Sequence, residues 1–312
     1  MGAASNIAWT DSTFNPWWGC QRVSEGCQHC YAESFAKRTG HKVWGPEEPR
    51  RFFGDKHWAE PRQWNREAVL SGTRRRVFCA SMADVFEDRR DLDAPRERLF
   101  ALIMETPSLD WLLLTKRPQN VMRLVPEDWR HRFPSSVWMG TTAENQERAD
   151  ERIPVLLQIP AVVRFVSAEP LLGPLSIGRY LPDQEHREYL AQSIPAGLDL
   201  YDRQPFVSWV IVGGESGAGA RPCALEWVQG VVDECRSAQV ATFVKQLGAV
   251  VVSEQRTAPA EIMQAFKGWR AKPPLAPNGE YWAWRAGLQH PKGGDPAEWP
   301  ESLRVREFPR ST

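Results

Sequence analysis

Trp111-Leu112-Leu113-Leu114-Thr115, stopped at once by Lys116-Arg117-Pro118, is the stretch on which the fold turns. An apolar run without polar alternation, ended by charge and proline, describes a strand buried on both faces. Other runs repeat the device. Arg76–Phe86 (RVFCASMADVF) reads as a strand running into a loop, and Val137–Thr142 (VWMGTT) and Val162–Ala168 (VVRFVSA) as strands. Trp209–Gly214 (WVIVGG) and Thr242–Lys245 (TFVK) follow, and Ile7–Thr10 (IAWT) is the candidate first strand. Helical patterns lie between them: Ala94–Glu105, a polar helix from about Asn145, and Ala224 to about Ala238. Strands alternating with helices predict a parallel sheet, and six or seven such units fit a full or partial parallel (β/α) barrel. The doubly wound open sheet is the rival.

Almost every predicted strand ends in polar residues. Ser81 and Asp84 follow one strand, Lys116 and Arg117 the next, then Thr141, Thr142 and Glu144, then Glu169, then Glu215 and Ser216, then Lys245. In a parallel barrel these ends converge on one mouth, where active sites lie. Any single end has a plainer reading, a strand leaving for solvent. Six ends together favour a shared pocket.

The pattern breaks at Gly40–Trp64, read as an irregular excursion, and at Gly173–Pro205, read as an insertion. After Gly248 periodicity is lost, and Pro291–Pro309 reads as a tail packed by Trp299, Leu303 and Phe308 rather than a lid. The organisation expected is a barrel over 1–248, with an insertion at about 173–205, and a C-terminal extension over 249–312 packed on it.

A chain of 312 residues is long enough for a sizeable core. Its formal net charge is zero, which argues against a long-range basic field for nucleic acid. Local basic stretches remain: Arg50-Arg51 and Arg74-Arg75-Arg76, with Trp58 and Trp64 nearby, either touch phosphates and stack on bases or form a solvated face. No apolar run approaches a membrane span, and Met1–Asn6 has neither a basic nor an apolar leader region, so a cytoplasmic protein is expected. In that compartment six cysteines point to metal or catalysis before disulfides.

Three of them cluster in Cys20-Gln-Arg-Val-Ser-Glu-Gly26-Cys27-Gln-His-Cys30-Tyr31. Close spacing lets one loop wrap an iron–sulfur cluster. Tyr31–Arg38 has helical composition, which sets Cys27 and Cys30 at a helix start, where unpaired N–H groups favour thiolates. Gly26 supplies a tight turn. Three ligands, where a closed site takes four, leave one position open. A structural zinc site completed by His29 or a distant cysteine is the competing reading. Cys79, Cys223 and Cys235 read as small core residues.

The segment Asn15-Pro16-Trp17-Trp18-Gly19-Cys20 through Cys30-Tyr31-Ala32-Glu33 closely resembles a phage-associated three-cysteine family of unknown function. Leu114–Pro118 (LTKRP), Ser167–Leu172 (SAEPLL), Val212–Gly217 (VGGESG), Phe243–Gly248 (FVKQLG) and the tail Lys292–Pro300 fit the same family, so the resemblance spans most of the chain. That family in turn resembles the radical S-adenosylmethionine superfamily, whose first cysteine gap is usually three residues shorter. The resemblance implies a radical-SAM-type barrel, a [4Fe-4S] cluster on Cys20, Cys27 and Cys30, S-adenosylmethionine on its open iron and a 5′-deoxyadenosyl radical. It implies an external electron donor. It suggests, as substrate, a nucleotide or nucleic-acid base to be modified or repaired.

Cofactor contacts follow by position. Tyr31 is placed near the adenine and Ser81 with Asp84 near the methionine amino group. Thr141, Thr142, Glu144 and Glu169 are candidates for the ribose, and Gly213, Gly214, Glu215 and Ser216 for a tight turn against adenine or carboxylate. Lys116, Arg117 and Lys245 are candidates to grip a substrate carboxylate or phosphate. Two other function classes stand beside this one: an iron–sulfur electron-transfer or sensing protein, and a zinc-stabilised nucleic-acid-binding module.

Overall fold

The structure is a computed structural model that describes residues 5–185, 188, 206–253 and 284–309, with only the backbone described at 284–285. Along the chain the strands are β1 (Ser12–Phe14), β2 (Trp17–Trp18), β3 (Arg51–Phe52), β4 (Arg75–Cys79), β5 (Leu109–Thr115), β6 (Val137–Thr142), β7 (Val163–Ala168), β8 (Trp209–Gly213), β9 (Cys223–Ala224), β10 (Ala241–Gln246), β11 (Val251–Ser253) and β12 (Trp284–Arg285). The helices are α1 (Tyr31–Arg38), α2 (Asp55–Ser71), α3 (Asp93–Glu105), α4 (Val121–Leu124), α5 (Gln146–Leu156) and α6 (Leu225–Ser237).

Seven strands form one sheet in the order β1-β4-β5-β6-β7-β8-β10, and every neighbouring pair is parallel. The order ascends without reversal, so there is no switch point of the doubly wound kind. The sheet curls into a half-barrel. Successive residues of each strand serve two cores. Phe78, Leu112, Trp138, Phe165, Trp209, Ile211 and Phe243 fill the concave side with Trp9. Val77, Trp111, Leu113, Met139, Val166, Val210 and Val244 face the helix layer. Burial on both faces explains the unbroken apolar runs.

Two expectations are corrected. Ile7–Thr10 is a turn, and the first strand starts at Ser12. The side chains of Thr10 and Asp11 occupy ladder positions there: the Phe78 N–H donates to Thr10 Oγ1 (3.0 Å) and the Arg76 N–H to Asp11 Oδ2 (2.8 Å). The excursion at Gly40–Trp64 contains the start of α2, a helix of 17 residues with Pro61 inside it. Proline without an N–H reads as a helix breaker, yet burial of Trp58, Pro61, Trp64 and Ala68 holds this one together.

The described part of the tail lies against the sheet. Val244 N–H donates to the Val305 carbonyl (2.9 Å) and Glu307 N–H to the Thr242 carbonyl (2.8 Å), which covers the free edge of β10. Phe308 then enters the concave side at the N-terminal ends of the strands, 5.6 Å from the Trp209 ring and 5.3 Å from that of Phe243. The Arg76 guanidinium lies over the Phe308 ring, 3.7 Å from its centroid, and Trp299 and Leu303 are buried. Of the expected insertion, Leu175, Ile177, Tyr180 and Leu181 are buried in the helix-side core, while 186–187 and 189–205 lie outside the described residues, as do 254–283 of the extension. Among the described residues no helix is long and apolar enough to cross a membrane.

Candidate functional site

The cysteine loop lies across the C-terminal ends of the strands. Its first cysteine is pinned by backbone: β2 pairs antiparallel with β3, Gly19 bridges to Ala83, Cys20 bridges to Trp44, and Gly19 N–H donates to the Met82 carbonyl (3.0 Å). A short turn at Glu25–Cys27 leads to Cys30, which caps the N-terminus of α1. As whole residues the three loop cysteines are partly exposed, whereas Cys79, Cys223 and Cys235 are enclosed in the apolar core. Burial drives the Cys30 thiol up, and the nearby backbone N–H groups of Glu33 and Ala32 only partly oppose the rise.

Arg117, at the end of β5, holds the Cys20 side of the loop. Its Nη1 donates to Asp84 Oδ2 (2.7 Å) and to Cys20 Sγ (3.8 Å), and its Nη2 donates to the Gln21 carbonyl (3.0 Å). Asp84 also accepts from Thr115 Oγ1 (2.7 Å), from the Phe86 N–H (3.0 Å) and from the Lys116 N–H (3.3 Å). Burial pushes the Cys20 thiol up to about 12, with Asp84 adding to the rise and Arg117 opposing it.

The centre of the loop rests on Glu144, fully buried beyond the end of β6. One carboxylate oxygen accepts from Ser24 Oγ; the other accepts from Arg152 Nη1 (2.9 Å) and from Thr142 Oγ1 (3.3 Å). Thr142 Oγ1 in turn accepts from Lys116 Nζ (2.9 Å) and Arg152 Nη1 (3.0 Å). Burial alone would raise the Glu144 carboxyl, but Lys116, Arg152 and Ser24 outweigh it and bring it down to about 2. Gly26 is required here by closeness: a Cβ on it would lie 2.8 Å from Glu144 Oε1.

Glu215, just past β8, holds the far side. It accepts from Arg221 Nη2 (2.6 Å), the Arg221 N–H (2.9 Å) and His29 Nδ1 (3.0 Å), while Arg221 Nη1 donates to the Glu25 carbonyl (3.0 Å). Burial would raise the Glu215 carboxyl; Arg221 and His29 reverse this and hold it below the usual range. Glu169 and Lys245 form a pair of their own at 3.0 Å. Gly213 and Gly214 let β8 approach β10: a Cβ on Gly214 would sit 2.2 Å from the Leu247 carbonyl oxygen.

The structure thus gathers Asp84, Lys116, Arg117, Thr142, Glu144 and Glu215 around the three cysteines. Tyr31 directs its hydroxyl to the Ser81 carbonyl (2.8 Å), and the residue is 57% exposed. Thr141 Oγ1 is turned into the sheet, donating to the Thr115 carbonyl (2.9 Å), and Ser216 is half-buried at the start of its turn. Sequence reading missed Ser24, Arg152 and Arg221, and also Asn15, which ties β1 to β4 through the Met82 N–H (2.7 Å). Only Arg221 carried a signal, standing just after the glycine-rich turn.

The arginines of the basic stretches are engaged with partners of their own. Arg50 is buried on Glu87 (2.6 Å), Arg74 pairs with Asp110 (2.7 Å), Arg75 with Glu67 (2.9 Å) and Arg76 with Asp11 (3.1 Å). Arg51 lies over the Trp18 ring at 4.6 Å, and Trp58 and Trp64 are buried, so neither indole is available to stack on a base.

Three thiols on one loop are the donor chemistry that iron–sulfur clusters use. Arg117 Nη1 donates to the Cys20 sulfur, and Cys30 stands at the N-terminus of α1. Among the described residues no three His, Cys, Asp or Glu side chains converge as a single bound ion requires. A cluster takes each thiolate on a different iron, so its ligands stand farther apart than those of a single ion.

No curated protein and no solved structure matches the chain. A family model does, over residues 4–273, from β1 through β11 and beyond. The chain is therefore a member of the family described as protein of unknown function (DUF5131).

Proposed function

We propose that the protein is a radical S-adenosylmethionine enzyme that carries a [4Fe-4S] cluster on Cys20, Cys27 and Cys30. The observation that supports this most is the seating of a three-thiol loop over the mouth of a parallel half-barrel. It is gripped there by Asp84 with Arg117, by Glu144, and by Glu215 with Arg221. With S-adenosylmethionine bound, a reduced cluster supplies a 5′-deoxyadenosyl radical for hydrogen abstraction.

The chain's own residues do the holding. Backbone N–H groups at the start of α1 and the Arg117 guanidinium stabilise thiolate charge. Lys116 Nζ gives one hydrogen bond to Thr142 and has further donors for a ligand carboxylate. The ring of Tyr31, an exposed residue beside Cys30, offers an apolar face to adenine. A nucleotide or nucleic-acid base is the proposed substrate class, and an external donor supplies the electron.

The test is anaerobic reconstitution with iron and sulfide, reduction with dithionite in the presence of S-adenosylmethionine, and assay for 5′-deoxyadenosine. A brown protein that forms it is expected, and Cys27→Ala is expected to lose both colour and product. A brown protein that never cleaves S-adenosylmethionine, even with oligonucleotides and nucleotides added, would replace this reading with electron transfer or sensing. A colourless zinc protein would replace it with a nucleic-acid-binding module.

A further inference from the structure

Arg117 stood among the candidates for gripping substrate, yet its guanidinium is turned onto the cysteine loop. It is 5% exposed, and its Nη1 is shared between Asp84 Oδ2 (2.7 Å) and Cys20 Sγ (3.8 Å). Neither partner is free to drift. Arg117 is fixed a second time at the Gln21 carbonyl, and Asp84 by Thr115 Oγ1 and the Phe86 N–H. The result is a rigid, buried dipole with its positive end on one ligand sulfur and its negative end just behind.

We infer that this pair sets the reduction potential of a cluster bound through Cys20, with Arg117 raising it and Asp84 limiting the rise. The inference rests on the function proposed above. Reduction adds one electron's charge to the cluster. A fixed cation at a ligand sulfur stabilises the reduced form, and a fixed anion opposes it. Hydrogen bonds to sulfur act in the same sense as the cation. Because both side chains are buried, solvent and salt screen the effect little. Arg117 is on this reading a positioning and tuning residue, acting through Cys20.

The sign of the shift separates tuning from support. The full-length protein is reconstituted as wild type, Arg117→Gln, Arg117→Lys and Asp84→Asn. Each is titrated potentiometrically with the reduced-cluster electron paramagnetic resonance signal as readout, beside iron content. Arg117→Gln is expected to shift the potential down, Asp84→Asn to shift it up, and Arg117→Lys to return most of the wild-type value. A purely structural pair would lower iron content in both neutralising variants and leave the potential of the retained clusters at the wild-type value. That result overturns the inference. If Arg117→Gln holds too little iron to titrate, the upward shift expected of Asp84→Asn, beside a near-wild-type potential in Arg117→Lys, still decides it. Wild type that cleaves S-adenosylmethionine while every variant keeps its potential sinks the inference alone. Wild type that assembles no cluster sinks the proposed function and the inference with it.

Discussion

At the N-terminal ends of the strands, Phe308 meets Trp209 and Phe243 with ring centroids 5.6 and 5.3 Å apart. At the C-terminal ends, Asp84, Glu144 and Glu215 meet Arg117, Arg152 and Arg221 at 2.7, 2.9 and 2.6 Å. The same strands supply both layers. The lower one closes the half-barrel with apolar area, the term that dominates stability and is indifferent to charge. The upper one buries carboxylates, each of which costs several kcal/mol in lost hydration that its partners must offset. Ion pairs there are poor value as stabilisers but hold fixed distances, and those distances seat the cysteine loop. The comparison predicts that damage below lowers stability and leaves the loop alone, while damage above moves the loop.

Trp209→Ala tests the lower end and carries the largest expected effect. The indole is fully buried, with the rings of Trp138, Phe165 and Phe308 at 6.0, 5.5 and 5.6 Å. Truncation of a core tryptophan costs about 3–5 kcal/mol, read as a lower urea midpoint. Iron bound per folded molecule should stay at the wild-type level. Iron lost in step with stability would mean the two ends are mechanically one.

Glu144→Gln tests the upper end. It removes the charge facing Arg152, which is 3% exposed, while keeping an acceptor in place, so a loss of about 3 kcal/mol is expected. Acid reports on the same carboxylate. Its folded pKa is about 2, below the ordinary value of 4.5, so its contribution is complete above about pH 4.5 and disappears as pH falls towards 2. Urea midpoints at pH 6 and pH 3 should differ less in Glu144→Gln than in wild type, and Trp209→Ala should run parallel to wild type. Equal acid sensitivity in all three would place the titrating group elsewhere.

The two ends also differ in how readable they were. β6 and α1 fall on the residues expected, because a strand buried on both faces and a helix opening on a polar loop both leave local patterns. The first strand was misplaced because Thr10 and Asp11 side chains substitute for backbone, and α2 was partly hidden by Pro61. The three cysteines announce themselves by spacing. Their seat does not: Ser24 meets Glu144 from 120 residues away, and Arg221 reaches the Glu25 carbonyl across 196. Charge alternation along a chain carries no record of which acid will meet which base once strands from distant positions share a mouth.

The smallest expected change in stability belongs to Gly26→Ala, and it is the sharpest test of the seat. The new methyl would stand 2.8 Å from Glu144 Oε1 and 2.9 Å from its carboxyl carbon. Glu144 cannot swing aside, since Arg152 and Ser24 hold its two oxygens. The loop must rise instead, at a cost of about 1 kcal/mol typical of mild overpacking. The unfolding midpoint should therefore stay near wild type while iron retention falls, because a small lift parts Ser24 from Glu144 and carries Cys27 with it. Trp209→Ala would give the reverse, much stability lost and iron kept. If Gly26→Ala binds iron as wild type does, the loop finds its place without Glu144, and the ion pairs of the mouth must then be explained by what they do to a ligand rather than by where they hold the cysteines.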